Sequence, residues 1–572
     1  MKRTVASKAT AKTFALPAGA EISYEGGVPL PPNVRPVILL SGSDYEMGYQ
    51  YYQQLIQVFG HFILEWVGED KFSAKESKTK KAYERHIKEH APEYLEMCKG
   101  MADGARAAGV PLSYEEVLAH SIRRKVPKFR PPTDCSGFAA WGKATKDGKL
   151  ICLGSTDHEL TFEVTLVAFP ETGNPFILSP FWPSEFGRQG GHPGMNNKGL
   201  AYVHHGATHW IQSKPKEKWT EGVPEGVANL HTLRFAGHAA EAKEMQLSYP
   251  SGDGFAGGFW ADIQGNAYVI ESRENPRAVR RPGDYDERDF IYSTNNALCK
   301  ELGHCQNPPP QGNQYIRRGG WLGTGATISS VPRNLGLWNM LHRYHGQVDL
   351  DFVKMVSRFS GNAPAYPTLE EADRAYYKTQ GKDWDNKMCN LENGVVGIML
   401  PDNGPGGLYY VASGCPARIA YPLLPYGHYY RIEPVFSYYQ LKLASNPQQT
   451  VKAAKDRAQY ELYYANQELR KLSYADCAYA PLDKIFNKAA TEWHKALYYE
   501  DHVQGNRAKE TQAVYLWAKA LRAYTRCQAL AKEVYNALLP PATKPEDLGL
   551  KPWGYWEEKE SLGLRKPFPK FS

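Results

Sequence analysis

Asp134-Cys135-Ser136-Gly137-Phe138-Ala139-Ala140-Trp141, then Lys146-Asp147-Gly148-Lys149, then Leu150-Ile151-Cys152-Leu153-Gly154, is the stretch whose reading decides this fold. It follows the break Pro131-Pro132-Thr133. An Asp-Gly pair between two short apolar runs is a strong hairpin signal. A cysteine therefore opens the first strand of a β-hairpin directly after a proline-rich break. If the chain is cut ahead of Cys135, that residue carries a thiol and an α-amine together. An α-amine has a pKa near ~7.7–8.0, so much of it is neutral at pH 7 and serves as a base. The thiolate is then the nucleophile. The competing reading is commoner for a lone cysteine: a small buried apolar residue at a strand start.

Working outward, residues 44–125 read as helical. Met47, Tyr51, Leu55, Val58 and Phe62 recur at helical spacing, and a second segment spans 79–108. Gly109-Val110-Pro111 stops that segment, and Ser113 with Glu116 makes a capping box. From Cys135 onward the runs are short and β-like, at 163–169, 174–180, 199–205, 255–261, 266–271, 289–293, 394–400 and 407–412. Helices are expected at 226–247 and 330–360, and residues 436–540 return to long amphipathic helix. The chain divides into an arm and helical unit (1–134), a strand-rich body (135–435) and a helical extension with a Pro-rich tail (436–572). Sheets with helices packed outside them make an α+β protein.

Composition narrows the classes. The 572 residues are 42% apolar and 23% charged, as in an ordinary globular protein. A net charge of +7 is too weak to argue for nucleic acid. No run of 18 apolar residues exists, and the N-terminus is too polar for a secretory signal, so the compartment stays open between cytoplasm and an export route whose signal was removed. Nine cysteines without a CxxC pair imply neither a disulfide framework nor a structural zinc site.

Around Cys135 the order Cys-Ser-Gly-Phe, Lys-Asp-Gly and Gly154-Ser155-Thr156-Asp157 resembles the start of the mature chain in the cysteine N-terminal-nucleophile (Ntn) hydrolases. The nearest likeness is to the peptidase C45 group, which includes the acyl-coenzyme A:6-aminopenicillanic acid acyltransferases; the choloylglycine hydrolases are more distant. Residues 40–49 resemble that family's G-x-x-x-E-x-G-x-x-x-G opening, and residues 93–105 its E-x-x-G-x-A-x-G helix. Residues 193–200 resemble its G-x-N-x-x-G-[LV] hairpin, Tyr292 to Asn295 its x-T-N strand end, and Ser330 to Arg333 its S-x-x-R. Together these span roughly residues 38–415.

The resemblance implies a four-layer αββα fold activated by self-cleavage between Asp134 and Cys135. Cys135 would be the nucleophile and its amine the base. Asp157 matches the residue that orients the amine, although it sits three residues after Gly154 where relatives have four, with His158 in the usual slot and Glu159 nearby. Asn295 would donate to the oxyanion, or be an ordinary turn residue. His205 stands where relatives often carry a second Asn. Arg333 would bind the precursor main chain or a substrate carboxylate, or be a solvated charge at a helix start.

The expected function is an autoprocessed amidohydrolase or acyltransferase. The thiol attacks the Asp134 carbonyl, and water opens the ester. The mature thiol then takes the acyl group of an amide as a thioester. The fragment 1–134 would stay bound, because its apolar helix faces need cover. Phe181, Trp182, Phe186, Trp210, Phe259 and Trp260 suggest an apolar acyl pocket or plain core. The rivals are a dipeptidase-like enzyme using Arg333 or Lys198 on a carboxylate, and a binding protein in which Cys135 is inert and 436–540 is the contact surface. No cofactor is expected, since GxxxxGK[ST], a strand-linked GxGxxG and GxSxG are all absent. No metal is expected from His204, His205 and His209, since adjacent strand residues face opposite ways. The expected partners are a small acyl-amide, the cleaved fragment and a second copy of the chain, with no nucleic acid and no membrane span.

Overall fold

The computed structural model describes residues 23–25, 28–30, 34–69, 77–122, 134–157, 163–180, 191–205, 222–250, 258–273, 277–295, 297–299, 301, 330–359, 393–402, 404–413, 437–474, 480–505 and 510–562. The N-terminal part holds a small ribbon, β1 (Ser23–Glu25) and β2 (Val28–Leu30), then β3 (Val37–Gly42). Five helices follow: α1 (Asp44–Phe59), α2 (Glu65–Glu69), α3 (Ser77–His90), α4 (Glu93–Ala107) and α5 (Tyr114–Ile122). The helical segment expected at 79–108 is two helices, because Ala91-Pro92 interrupts it. Helices α1 and α4 touch backbone to backbone. A Cβ on Gly48 would sit 2.1 Å from the Met97 carbonyl oxygen, and one on Gly100 1.9 Å from that of Tyr45.

The body runs β4 (Asp134–Ala140), β5 (Ile151–Asp157), β6 (Thr165–Pro170), β7 (Phe176–Pro180), β8 (Gly191–Asn196) and β9 (Leu200–His204). Next come α6 (Glu225–Phe235) and α7 (Ala239–Ser248), split where the sequence suggested one helix. After β10 (Gly258–Asp262), β11 (Ala267–Ser272), β12 (Ala278–Arg280) and β13 (Phe290–Ser293) come α8 (Ser330–Arg343) and α9 (Leu350–Arg358). Finally β14 (Asn393–Leu400), β15 (Leu408–Ser413) and β16 (Tyr439–Lys442) lead into α10 (Pro447–Tyr474), α11 (Ala480–Gly505), α12 (Glu510–Leu538) and α13 (Gly554–Ser561). Two sheets result. An eight-stranded sheet has the order β12-β11-β10-β9-β8-β7-β6-β3, and a six-stranded sheet has the order β13-β4-β5-β14-β15-β16. All neighbours are antiparallel except β3 with β6.

Strand alternation sorts the side chains into three cores. Val37 and Leu39, Ala139, Cys152, Val203, Phe259, Met399 and Tyr409 fill the space between the sheets. Ile38, Leu40, Leu166, Tyr202 and Trp260 face outward from the eight-stranded sheet onto α1, α4 and α6. Phe138, Ala140, Leu153, Tyr292 and Ile398 face outward from the other sheet onto α8 and α9. Helix α12 lies against both β3 and β16, one edge strand of each sheet. The edge of β3 is satisfied by side chains. Gln54 accepts from the Leu39 amide and donates to its carbonyl (3.2 and 2.7 Å), and Gln50 does the same for Ser41 (3.0 and 2.8 Å). Arg522 of α12 donates to the Val37 carbonyl (3.2 Å), and Gln528 accepts from the Gln440 amide of β16 (2.8 Å). No helix among the described residues is long and apolar enough to cross a membrane.

The sheets meet across a row of glycines. Gly137, Gly154 and Gly397 are register partners on β4, β5 and β14. Pro193 and Val203 of the opposite sheet fill the space where their side chains would stand. A Cβ on Gly397 would lie 2.3 Å from Pro193 Cγ, one on Gly154 2.8 Å from Pro193 Cβ, and one on Gly137 2.9 Å from Val203 Cγ1. Overpacking of this kind costs about 1–3 kcal/mol or more. Gly397→Ala is therefore expected to lower the urea midpoint by that order, while Gly554→Ala, with nothing within 4 Å of its added Cβ, leaves it nearly unchanged. Equal midpoints for the two variants would show that the row is not a tight contact.

Candidate active site

Cys135 is the second residue of β4 and belongs to the face that looks between the sheets, as its alternation with Gly137 and Ala139 requires. It is fully buried. Its amide N–H donates to Asn295 Oδ1 at 2.6 Å. Its carbonyl accepts from Arg333 Nη1, which also donates to Ser136 Oγ. Arg333 Nη2 donates to the same Asn295 oxygen at 2.9 Å. Both donors face Asn295 through its oxygen, so the amide orientation follows from chemistry.

The segment that delivers Asn295 is itself anchored. Asn295 follows β13, and Arg280 Nη2 donates to the Tyr292 carbonyl there. Arg280 also pairs with Glu287 (2.9 Å) and Glu271 (3.4 Å), all three buried. Glu271 accepts in turn from the backbone amides of Leu298 and Cys299, at 2.9 and 2.7 Å. Arg333 comes from the first turn of α8, which packs on β4 and β13.

Two histidines complete the surroundings. The β8–β9 hairpin is antiparallel, with Gly194 opposite Tyr202, so His192 and His205 lie at the same open end. One ring nitrogen of each and Cys135 Sγ all lie within 4.8 Å of one another. Thr156 is the register partner of Cys135 on β5. Its hydroxyl lies 3.2 Å from His192 Nε2 and 3.3 Å from the His192 carbonyl. Neither ring nitrogen of His205 has a hydrogen-bond partner. Burial, with His204, Arg333 and Arg280 nearby, holds the pKa of His205 well below the usual histidine value, so the ring is neutral at pH 7. A buried thiol and two imidazoles also form a donor set that suits a soft divalent ion such as zinc. His86, Glu89 and His90 form a second, partly exposed set on α3.

The sequence singled out Cys135, Asn295, Arg333 and His205, and the structure brings these four together. Asp157 ends β5 opposite Asp134, one register step from Thr156, and of the Asp134 and Asp157 side chains nothing is described. His158, Glu159, Phe181, Trp182, Phe186, His209 and Trp210 lie outside the described residues. Phe259 and Trp260 face opposite sides of β10 and belong to two different cores; Trp260 stacks on Tyr202 at 4.3 Å. Lys198 is exposed on the turn at the far end of the hairpin from His192. Sequence reasoning missed Thr156 and His192. The signal was there: pairing the two arms of the hairpin around its turn sets residue 192 beside residue 204.

No family model matches the chain. An uncharacterized protein of Archaeoglobus fulgidus is 28% identical over 172 residues, a match that takes in 25% of this chain and only 29% of that protein. Among solved structures, penicillin V acylase from Agrobacterium tumefaciens aligns with 49% of this chain and 83% of its own, at 12% identity and a TM-score of 0.24. A mutant of the conjugated bile acid hydrolase from Clostridium perfringens aligns with 49% of this chain and 89% of its own, at 15% identity and a TM-score of 0.27.

The depressed pKa of His205 has a sign that can be tested. A histidine whose folded pKa lies below its unfolded value of about 6.5 leaves stability untouched above that pH and removes it as pH falls. The slope attributable to this ring is about 1.4 kcal/mol per pH unit below pH 6.5. His205→Gln is expected to reduce the slope between pH 6.5 and 5.5, measured by urea unfolding. An unchanged slope would show that the ring titrates alike in the folded and unfolded chain.

Proposed function

We propose that the protein is a self-processing amide hydrolase or acyltransferase whose working residue is Cys135 at a newly made N-terminus, carried on an αββα Ntn-hydrolase fold. The observation that carries this reading is the treatment of one residue. The nitrogen of Cys135 is held by Asn295, its carbonyl by Arg333, and its sulfur faces two imidazoles. A merely packed cysteine has no need of a buried arginine on its carbonyl and a buried asparagine on its amide.

In the intact chain the Cys135 nitrogen is an amide and cannot serve as a base. If the Thr156 hydroxyl gives its proton to the His192 carbonyl, His192 Nε2–H donates to Thr156 Oγ1 and Nδ1 carries the lone pair. His192 then takes the thiol proton. The thiolate adds to the Asp134 carbonyl, the Cys135 nitrogen leaves carrying that proton, and a thioester remains. Water hydrolyses it to the Asp134 carboxylate, the Cys135 thiol and a free amine. Asn295 Oδ1 keeps its place as acceptor, now for the amine, and Arg333 keeps the strand end from swinging away. Asp157 is assigned as a second support of that amine. The amide nitrogen of Asn295 supplies a donor to the oxyanion, a contact worth roughly 3–4 kcal/mol of barrier.

On substrate the amine takes the thiol proton, sulfur attacks the amide carbonyl, and the leaving amine carries the proton off. Water or a second amine then receives the acyl group. The fragment 1–134 stays in place in this reading, since β3 is part of the eight-stranded sheet.

Freshly purified protein on a denaturing gel is expected to give two bands, with Cys135 as the second N-terminus on end-group sequencing. Cys135→Ala should give one band and no amidase activity. Arg333→Met should retain the fold by circular dichroism while slowing cleavage at least tenfold. Full activity toward acyl-amides or dipeptides in a chain whose sole N-terminus is Met1 would sink the self-processing reading. A single band inert to thiol alkylation would favour a binding protein instead.

A further inference from the structure

A second polar recess lies away from the Cys135 residues, where the helical extension meets the six-stranded sheet. It is lined by Lys354 and Arg358 of α9, Arg457 of α10, Lys532 of α12, Tyr410 of β15 and Gln440 of β16. Four cations thus line one cavity. Glu461 contacts two of them, pairing with Arg457 and with Lys532 at 3.5 Å. The other nearby carboxylates are Asp351, exposed on α9, and Glu533, which accepts from Ser437 at 2.6 Å. Among the described residues Lys354 has no carboxylate partner and no hydrogen bond; its ammonium rests over the Tyr410 ring, 5.1 Å from the centroid. The Tyr410 hydroxyl and the Gln440 side-chain amide are likewise without hydrogen-bond partners.

Gathering four cations at the junction of three helices costs electrostatic energy unless an anion joins them. The donors left uncommitted are an ammonium, a phenol and an amide, at a site where two guanidinium groups also converge. Planar guanidinium forks and a point-charge ammonium are the groups that hold tetrahedral oxyanions. We propose that this recess binds a phosphate-class dianion, either inorganic phosphate or the phosphate of a small monoester, and that the anion pins α10 and α12 to α9. The site is independent of the chemistry at Cys135.

The electrostatics give it a second signature. Burial, with Lys532, Arg358 and Arg457 close by and Asp351 opposing them, lowers the pKa of Lys354 to about 8. Tyr410 and Tyr438, whose pKa values burial raises, stay neutral there, and Glu461 and Glu533 also face the region. A bound dianion restores the charged ammonium, so binding near pH 8 draws protons from solution.

The test uses the full-length protein at pH 8 and constant ionic strength, titrated with phosphate, sulfate, glycerol phosphate, acetate and chloride. Phosphate, sulfate and the monoester are expected to raise the melting temperature in a saturable way, and acetate and chloride are not. Tighter binding of glycerol phosphate than of phosphate assigns the recess to an ester, and the reverse assigns it to the free ion. Sulfate has no titrating proton near pH 8, so calorimetry in two buffers of different ionisation enthalpy should show proton uptake by the protein. Lys354→Glu supplies an anion covalently. It should melt no lower than wild type and lose at least tenfold in phosphate affinity, together with the proton uptake. Equal responses to sulfate and chloride, or an unchanged sulfate response in Lys354→Glu, would overturn the proposal.

Discussion

The close approach of the two sheets at Gly137, Gly154 and Gly397 is the constraint on which the rest depends. Three strands of the six-stranded sheet surrender their side chains at one level, and Pro193 and Val203 of the other sheet occupy the space. The residue before Pro193 is His192. Two residues after Val203 comes His205. The depth of the glycine row therefore sets how near both imidazoles come to Cys135, two residues along β4 from Gly137. Inter-sheet hydroxyl bonds fix the same spacing from the side: Tyr409 donates to the Pro193 carbonyl at 2.8 Å, and Tyr439 meets Thr165 at 2.9 Å. A packing interior transmits such a spacing because it is as dense as a crystal.

Two buried arginines organise the charge around Cys135 and the strand end beside it. Arg280 is buried with Glu271 and Glu287, so its cost of desolvation is offset by two carboxylates and a carbonyl. Arg333 is also buried, and it donates to the carbonyl of Cys135, the hydroxyl of Ser136 and the amide oxygen of Asn295. A guanidinium on the carbonyl of a cysteine favours negative charge on a thiol or carbonyl oxygen near it. Burial does most to keep His205 uncharged, and the field of His204, Arg333 and Arg280 acts in the same direction.

Much of the sheet architecture was legible from alternation alone. β4 and β5 pair antiparallel as expected, but a longer loop holding the 3-10 turn Gly142–Ala144 joins them rather than a tight turn at Asp147-Gly148; the runs at 394–400 and 407–412 became β14 and β15 with nearly those bounds. Buried strands without alternating apolar residues were the ones that escaped. Gly191 to Asn196 shows no apolar alternation, because Met195 is its one large apolar residue among Gly, His, Pro and Asn, yet it forms β8. β3 escaped for a different reason: as a six-residue strand before a helical unit it offers no hairpin partner, and it pairs in parallel with a strand more than a hundred residues later. The site was legible where a motif named a backbone contact. Thr156 lies within the Gly154–Asp157 motif, which gives it no role, and the register between β4 and β5 places it opposite Cys135.

Residues 37–42 lie on the N-terminal side of Cys135 and supply a strand to the eight-stranded sheet. Gln50 and Gln54, which seal that strand's outer edge, come from the same side, while Arg522, which grips its first carbonyl, comes from the other. A scission before Cys135 would turn a one-chain folding problem into an association of two peptides. Denaturation of the processed form would then free one peptide from the other, and recovery would slow as the solution is diluted, whereas the unprocessed form would recover at a rate indifferent to concentration.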